Sequence, residues 1–267
     1  MTMAGQECAI ELPPGYRLER HEEVGSTNSL ALERAAAGAA PGLWIMADRQ
    51  TSGRGRAGRT WASPPGNLYA SLLVAPRAPP RVSQQLSLVA GLAVFDAIAA
   101  AMQGAAARSD LRLKWPNDLM VGKSKLSGIL VESSSGSTFG PHWVVMGIGI
   151  NVTVAPEMPE REVTSLAREG VRVSREALMA LLASSMASWI AAWREGAGIA
   201  EVRQAWLDRG PAAGEPIAVR QGSERLEGLY HGLDADGALR LLDPAGTVRI
   251  ISTGEVVRPA RQPGIGR

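Results

Sequence analysis

The sequence is poor in the residues that build covalent and metal cross-links. Its 267 residues include one cysteine, Cys8, and three histidines, His21, His142 and His231, whose spacing is not that of metal ligands. A single thiol cannot form an intramolecular disulfide, and a zinc site needs several Cys or His ligands at set intervals. The sequence therefore excludes a disulfide framework and a Cys/His metal centre, and it places Cys8 in an N-terminal segment that we expect to be frayed.

Long hydrophobic segments and a large excess of charge are also lacking. The longest apolar run, 86–102, contains Asp96 and is short for a bilayer span, so it predicts a buried helix. Glu7 and Glu11 lie where a secretory signal needs an apolar core, which favours a cytoplasmic protein. The formal net charge of +2 gives little phosphate neutralisation, so a nucleic-acid-binding barrel protein is disfavoured.

Glycine and arginine are concentrated in one short stretch. Three of each alternate within residues 53–59, here called the Gly/Arg loop, between a predicted strand and Trp61. Glycine lets the backbone approach a ligand closely, and arginine offers a planar fork of donors to phosphate or carboxylate oxygens. The loop therefore indicates the binding of an anionic, phosphate-bearing ligand. A solvated basic loop is the alternative, because arginine- and glycine-rich segments also occur in RNA-binding tails.

Lysine is rare and clustered. All three lysines, Lys114, Lys123 and Lys125, fall within twelve residues, and every other permanently charged basic side chain is arginine. An ammonium group is a compact point charge that suits phosphate and carboxylate oxygens. The cluster marks 114–125 as a candidate site, with chance clustering as the alternative.

The periodicity of apolar residues predicts an α+β fold in two parts. Strands are expected at 16–23, 43–47, 67–75, 111–115, 119–121, 126–132 and 143–152, and helices at 29–35, 86–102 and 175–194. After a Gly/Pro-rich linker at 210–214, short strands at 216–220, 225–230, 238–242 and 248–252 predict a small β-barrel. We therefore expect an N-terminal domain over 1–210 and a C-terminal domain over 211–267.

Two local patterns match nucleotide-binding motifs without their structural context. Residues 53–58 fit the dinucleotide fingerprint, but Pro64 and Pro65 prevent the long helix that must follow it. Residues 122–124 resemble the end of a triphosphate-binding loop, yet Asn117 stands where its first glycine belongs. Neither motif supports a nucleotide fold by itself.

Five polar signatures follow one another at predicted strand ends and turns. They are Ser26-Thr27-Asn28, Gln50 with the Gly/Arg loop, and the segments 114–118, 125–130 and 147–152. In this order and spacing they resemble the biotin–protein ligase family over about residues 20–260, with 66–69 and 164–166 as further matches. The resemblance implies a mixed, largely antiparallel sheet flanked by helices, as in class II synthetases, and an SH3-like C-terminal module. It implies the type without an N-terminal DNA-binding domain.

The resemblance implies a reaction in two halves. Biotin and ATP form biotinyl-5′-AMP and pyrophosphate with Mg²⁺, and a specific lysine of a biotin carboxyl-carrier protein then takes the acyl group. The first half brings two anions together, so positioned cations must offset their repulsion. The second half needs an adenylate that water cannot reach before the carrier arrives.

The resemblance also assigns roles to individual residues. The cations expected at the reacting carboxylate and phosphate are Arg54, Arg56 and Lys125. The residues expected to bind biotin are Ser26, Thr27, Asn28, Gln50, Arg54, Gly55, Arg56, Lys125, Gly128, Gly147 and Gly149. Those expected to bind ATP are Arg56, Trp61, Lys114, Asn117, Asp118 and Asn151, and Asp118 is also the candidate Mg²⁺ ligand. Helix capping by residues 26–28 and a turn role for Asp118 are the structural alternatives.

Other functions stay open at this point. A lipoate–protein ligase shares the fold and the adenylation chemistry, although the Gly/Arg loop and the 114–118 segment favour biotin. A biotin-sensing repressor needs a helix-turn-helix domain of about sixty residues by analogy with the family, and only some twenty-five precede Ser26. We therefore expect no DNA binding and no membrane association. The oligomeric state, monomer or homodimer, is left open.

Overall fold

The computed structural model describes residues 10–134, 142–158, 161–257 and 259. Cys8 lies outside these described residues. Two sheets organise them: one has seven strands and belongs to the N-terminal part, and the other has five strands and belongs to the C-terminal part.

The larger sheet is mixed and mostly antiparallel. Its strands are β1 (Arg17–Val24), β2 (Leu43–Gln50), β3 (Leu68–Val74), β4 (Leu111–Lys114), β5 (Asp118–Val121), β6 (Ser124–Ser134) and β7 (Trp143–Ile150). They lie in the order β1-β2-β3-β7-β6-β5-β4. β1 and β2 run parallel, and all other neighbouring pairs are antiparallel. The predicted mixed, largely antiparallel sheet is confirmed.

Five α-helices accompany the strands. They are α1 (Thr27–Ala36), α2 (Pro80–Ser83), α3 (Leu86–Ala101), α4 (Arg175–Trp193) and α5 (Ile199–Leu207). The run 86–102 is indeed a buried helix, and α3 packs extensively against α4. Ser174 caps α4, since its hydroxyl accepts the Ala177 N–H at 3.1 Å. Apolar packing thus holds α3 and α4 together, and a side-chain cap fixes the start of α4.

Alternate residues of the central strands face two different cores. On β2, Leu43 and Ile45 pack against α1, whereas Trp44 and Met46 belong to the main core beneath α3 and α4. Because successive side chains of a strand point to opposite faces, both faces of the sheet are covered. On β7, Val145 belongs to the α1 face, and the period of two therefore places Gly147 and Gly149 on that same face.

The C-terminal part forms the second sheet. Its strands are β8 (Pro216–Gln221), β9 (Glu224–Leu233), β10 (Leu239–Leu242), β11 (Val248–Ile251) and β12 (Glu255–Val257), in the order β11-β10-β9-β8-β12. Asp234 closes the turn between β9 and β10 by accepting the N–H groups of Asp236 and Ala238 at 3.0 and 2.8 Å. The predicted small β-domain is confirmed, and the boundary at residue 210 stays a prediction.

The two parts touch directly beside the Gly/Arg loop. The indole N–H of Trp115 donates to the carbonyl of Gly237 at 3.3 Å, and Trp115 is 4% exposed. A side chain at Gly237 would meet Leu88 of α3 at 2.5 Å, so the β9–β10 turn packs closely on the catalytic part. Trp115 therefore lies buried at the junction.

Two helical segments, Pro80–Ala101 and Arg175–Gly196, are long and apolar enough to meet a length-and-composition criterion for membrane spans. The buried share of the most apolar stretch is 67% in the first and 33% in the second. Core helices of globular proteins meet the same criterion. The packing of α3 against α4 and the sheet accounts for the apolar character of the first segment.

Candidate active site

A cavity on the α1 face of the large sheet collects most of the residues predicted for the site. The predicted residues that line it are Ser26, Thr27, Asn28, Gln50, Arg54, Gly55, Arg56, Trp61, Asn117, Asp118, Lys125, Gly128, Gly147 and Gly149. They come from five separate sequence segments, and the neighbouring strands β7, β6 and β5 bring three of these segments side by side. Motifs that are far apart in the sequence thus meet at one cavity.

Glycine on two paired strands opens this cavity. Gly147 and Gly149 of β7 lie on the α1 face, and Gly128 of β6 pairs with Gly149. A methyl group on Gly147 would lie 2.1 Å from Asn28 Oδ1, and one on Gly149 would lie 2.5 Å from the Trp61 ring. The side chains of Asn28 and Trp61 therefore occupy the space next to Gly147 and Gly149. Direct packing of the glycines on biotin stays a prediction.

Substitution of Gly147 by alanine tests this requirement. The new methyl group overlaps the Asn28 amide, so we expect displacement of that side chain, a stability loss of about 1–3 kcal/mol and weaker biotin binding. Thermal unfolding and titration calorimetry measure the two effects. Gly25→Ala is the matched control, because a methyl group there meets nothing within 4 Å. Equal behaviour of the two variants would contradict the assignment.

One end of the cavity is neutral and polar. Gln50 Oε1 accepts the backbone N–H of Thr27 at 2.9 Å, and Gln50 Nε2 donates to Ser63 Oγ at 2.9 Å. Ser63 in turn donates to the carbonyl of Trp61 at 3.1 Å. The Thr27 N–H can only donate, and Ser63 accepts from Gln50 because its own proton is directed at the Trp61 carbonyl. These two contacts hold the amide of Gln50 in one orientation. Ser26, at the start of α1, makes no side-chain capping bond, so its hydroxyl is left for another partner.

The opposite end is cationic. Lys125 Nζ donates to Asp118 Oδ1 at 2.5 Å, and the two side chains are 13% and 8% exposed. The ammonium also lies 5.2 Å from the centroid of the Trp61 ring, a cation–π contact. By contrast Lys123 is exposed. The two lysines are two residues apart in sequence but differ in burial, since Lys125 is largely buried and Lys123 is exposed.

The Gly/Arg loop turns its arginines to different partners. Ala57 adopts a left-handed backbone (φ 55°) inside a short 3₁₀ turn, Arg56–Gly58. Arg54 pairs with Glu132 at 2.9 Å on one side. Arg56 is half-buried and donates to the carbonyl of Gly254, in the C-terminal domain, at 3.1 Å. Burial lowers the pKa of Arg56, and the carboxylates of Asp118 and Glu255 oppose that shift; the guanidinium keeps its charge.

The C-terminal domain supplies a residue that sequence reasoning missed. Glu255 of β12 lines the cavity, accepts a bond from Arg59 at 3.0 Å and pairs with Arg161. Burial acts to raise the pKa of Glu255, but its bonds to Arg59 and its contact with Arg161 outweigh burial and hold it below the ordinary value. No sequence motif signals Glu255 or Arg161, since each reaches the site from a loop or edge strand through folding.

Two predicted residues do not line the cavity. Lys114 is half-buried; burial lowers its pKa, and the charge of Asp118 opposes that effect. Asn151 is buried, and its amide donates to the carbonyl of Thr164 at 3.0 Å. The ATP-binding roles of Lys114 and Asn151 stay predictions.

Acidic and imidazole side chains are not clustered in the part of the chain that the structure describes. Within it there is no group of three or more His, Cys, Asp or Glu residues able to hold a metal ion. Asp118 is a single carboxylate already paired with Lys125, and its second oxygen lies 4.0 Å from Arg161. Such a carboxylate can hold Mg²⁺ only together with substrate phosphates, which is the usual arrangement for this ion.

Comparison with known proteins agrees with this geometry. Residues 22–151 match the model of the "Biotin/lipoate A/B protein ligase family", and residues 213–258 match the "Biotin protein ligase C terminal domain". The chain is 40% identical over 237 residues to biotin–[acetyl-CoA-carboxylase] ligase of Paracoccus denitrificans, covering 86% of this chain and 96% of that protein. It is 35% identical to the enzyme of the same name from Mycobacterium tuberculosis, covering 91% and 90%.

A solved structure shows the same architecture. Biotin protein ligase from Aquifex aeolicus in complex with biotin and ATP superimposes with a TM-score of 0.75 at 28% identity, covering 90% of this chain and 97% of that one. The bifunctional ligase/repressor BirA of Escherichia coli is 32% identical, and the match covers 87% of this chain and 71% of that protein. The similarity thus extends over both sheets and over the cavity between the loop and β7. The chain belongs to the biotin/lipoate A/B protein ligase family, among the biotin–protein ligases.

Proposed function

We propose that this ligase activates biotin with ATP to biotinyl-5′-AMP and transfers the biotinyl group to the ε-amine of a lysine on a biotin carboxyl-carrier protein. The observation that carries the proposal is the polarity of the cavity. The amide of Gln50 and the hydroxyl of Thr27 lie at its neutral end, and Arg56 and Lys125 lie at its cationic end. Biotin has the same polarity, with a neutral ureido ring at one end and a carboxylate at the other.

The cationic end suits the first half-reaction. When the carboxylate of biotin attacks the α-phosphate of ATP, two anions must come into contact, and unlike charges placed in advance lower the cost of that approach. Lys125 and Arg56 are both partly withdrawn from water, where their charges act more strongly than at the surface. We assign Lys125 and Arg56 to the reacting carboxylate and α-phosphate. Arg54 pairs with Glu132 beside Asn28, and its role at the same groups is proposed from the family resemblance.

Nucleotide contacts are assigned to the residues around these cations. Trp61 offers a ring face to adenine, and its indole N–H is buried with no hydrogen-bond partner among the described residues. Asn117 lies against Arg56, with 3.5 Å between Oδ1 and Nη1. Lys114 is proposed for the phosphates and Asn151 for adenine, as the family resemblance implies. Mg²⁺ is proposed to neutralise phosphate charge, with Asp118 as its candidate protein ligand.

The second half-reaction needs a protected adenylate. The Gly/Arg loop meets the cavity through Arg54 and Arg56, and its contacts reach both β6 and the C-terminal domain. A loop that makes these contacts over the bound intermediate would exclude water until the carrier lysine enters. The carrier protein, a cytoplasmic location, the monomeric or homodimeric state and the lack of DNA binding stay predictions.

Acid-dependent exchange of pyrophosphate into ATP tests the proposal. Purified protein with ATP and Mg²⁺ is expected to exchange labelled pyrophosphate when biotin is present and to give background exchange with lipoate or without an acid. Transfer is then followed as a mass increase of one biotinyl group on a carrier domain. Exchange that depends on lipoate instead of biotin would identify a lipoate–protein ligase. Mass spectrometry of the purified protein for bound biotinyl-AMP gives an independent readout.

A further inference from the structure

A chain of buried hydrogen bonds runs behind the neutral end of the cavity. Its first link is the amide of Asn28, which is 3% exposed. Asn28 Nδ2 donates to the carbonyl of Leu130 at 3.1 Å and to Glu132 Oε2 at 2.8 Å. A backbone carbonyl and a carboxylate that is paired with Arg54 can only accept. The nitrogen of the Asn28 amide must therefore face β6, and its oxygen faces the other way.

The second link is Ser71, which is fully buried on β3 and pairs with Gly147. Ser71 Oγ lies 2.6 Å from Asn28 Oδ1 and 2.7 Å from Thr27 Oγ1. A serine hydroxyl has one proton, and an amide oxygen can only accept. The proton of Ser71 is therefore directed at Asn28. The short contact with Thr27 then requires that the threonine hydroxyl donates to Ser71.

The third link is Thr27, which lines the cavity. Its hydroxyl oxygen also lies 3.1 Å from Gln50 Oε1, which already accepts the Thr27 backbone N–H at 2.9 Å. The hydroxyls of Ser71 and Thr27 have one proton each, and these two protons cannot serve three oxygen–oxygen contacts. The contact left without a proton is the longest, the one between Thr27 Oγ1 and Gln50 Oε1. With its proton used on Ser71, Thr27 Oγ1 presents only lone pairs to the cavity.

We infer that Ser71 is a positioning residue that makes the Thr27 hydroxyl a dedicated acceptor for an N–H donor of the ligand. The inference rests on the proposed function, because the ureido ring of biotin is a ligand with such N–H groups. Ser71 does not line the cavity, and it acts through Thr27. A site with a fixed acceptor discriminates against a ligand atom that is also an acceptor, since two opposed lone pairs leave both groups unpaired.

Two cyclic carbamate analogues of biotin provide the probes, because each replaces one ureido N–H by a ring oxygen with little change of shape. For wild-type protein we expect biotin to bind more tightly than the analogue whose oxygen faces Thr27. Ser71→Ala removes the acceptor of the Thr27 hydroxyl proton, so this proton can turn towards the ligand. Biotin binding should then weaken about tenfold, the factor for one neutral hydrogen bond. The dissociation constant of the analogue whose oxygen faces Thr27 should change less than about threefold. Titration calorimetry on the full chain gives both dissociation constants.

Matched variants separate this role from general packing. Ser165→Ala removes another fully buried hydroxyl away from the cavity and is expected to leave the biotin-to-carbamate ratio unchanged. Ser71→Cys keeps the buried volume with a weak donor, so it should shift the ratio in the same direction even if Ser71→Ala does not fold. Equal weakening of biotin and analogue, or an unchanged ratio, would overturn the inference. Wild-type protein that binds no biotin would instead refute the proposed function.

Discussion

Replacement of Lys125 by alanine is expected to lower biotin-dependent ATP–pyrophosphate exchange by about 10²–10³-fold, the cost of removing one positioned electrostatic contact at a reacting centre. The ammonium lies at the cationic end of the cavity and is only 13% exposed, so bulk water cannot replace it. Exchange is measured at saturating ATP and biotin, so that the loss reports on the chemical step. Undiminished exchange would refute the role of Lys125.

Two further variants show whether the loss comes from chemistry or from folding. Lys125→Ala leaves the buried carboxylate of Asp118 without its partner, which costs about 3–5 kcal/mol of stability in comparable buried pairs. The structure therefore predicts a less stable variant. Adding Asp118→Asn should recover much of the melting temperature without recovering exchange. Lys123→Ala, an exposed lysine on the same hairpin, should change neither quantity.

Replacement of Arg56 by glycine is expected to release reactive biotinyl-AMP, which then labels nearby lysines indiscriminately. Arg56 connects the Gly/Arg loop to the C-terminal domain through the carbonyl of Gly254 and lies beside Asn117. Loss of the guanidinium removes both the tether of the loop and a charge opposite the adenylate phosphate. Incubation with ATP, biotin and an unrelated lysine-rich protein, followed by streptavidin detection, measures the labelling. The expected increase is about tenfold or more, the equivalent of one charged hydrogen bond.

The loop itself contains a control for flexibility. Ala57 already has a left-handed backbone (φ 55°), so Ala57→Gly places glycine beside Arg56 without removing a charge and without strain. We expect labelling to stay confined to the carrier domain in this variant. If Ala57→Gly and Arg56→Gly label the unrelated protein equally, the added glycine in the loop, and not the lost guanidinium, releases the intermediate. Arg56→Lys should leak less than Arg56→Gly, because it keeps a charge but loses the planar fork.

The C-terminal domain belongs to the site through one edge strand. Glu255 of β12 holds Arg59 and accepts from Arg161, and both arginines line the cavity. The sequence predicted this domain as a separate barrel and left its contribution open. The contact arises because the β9–β10 turn packs against Trp115 and Gly254, just before β12, meets Arg56, a long-range arrangement that local patterns do not encode.

The order of elements was largely predictable. Period-two and apolar runs located the strands of the larger sheet and four of the five described strands of the smaller one, and the arginines and glycines of the loop indicated an anion site. The short elements escaped prediction: α5 and β12 are brief, and their apolar positions are decided by contacts with distant parts of the chain. Arg161 and Glu255 were missed for the same reason, since a lone charged residue in a loop or on a short edge strand has no local signature.

Some properties of this protein follow from the sequence by itself. The order and spacing of the motifs from Ser26 to Asn151 resemble those of the biotin–protein ligases, and this resemblance predicted the family. The tertiary structure alone decided how those side chains are used. Gly147 and Gly149 leave space on the α1 face, which Asn28 and Trp61 enter. The proton directions of a network and the burial of an ion pair depend on neighbours from several strands, and only the packed sheet brings those neighbours within hydrogen-bond distance.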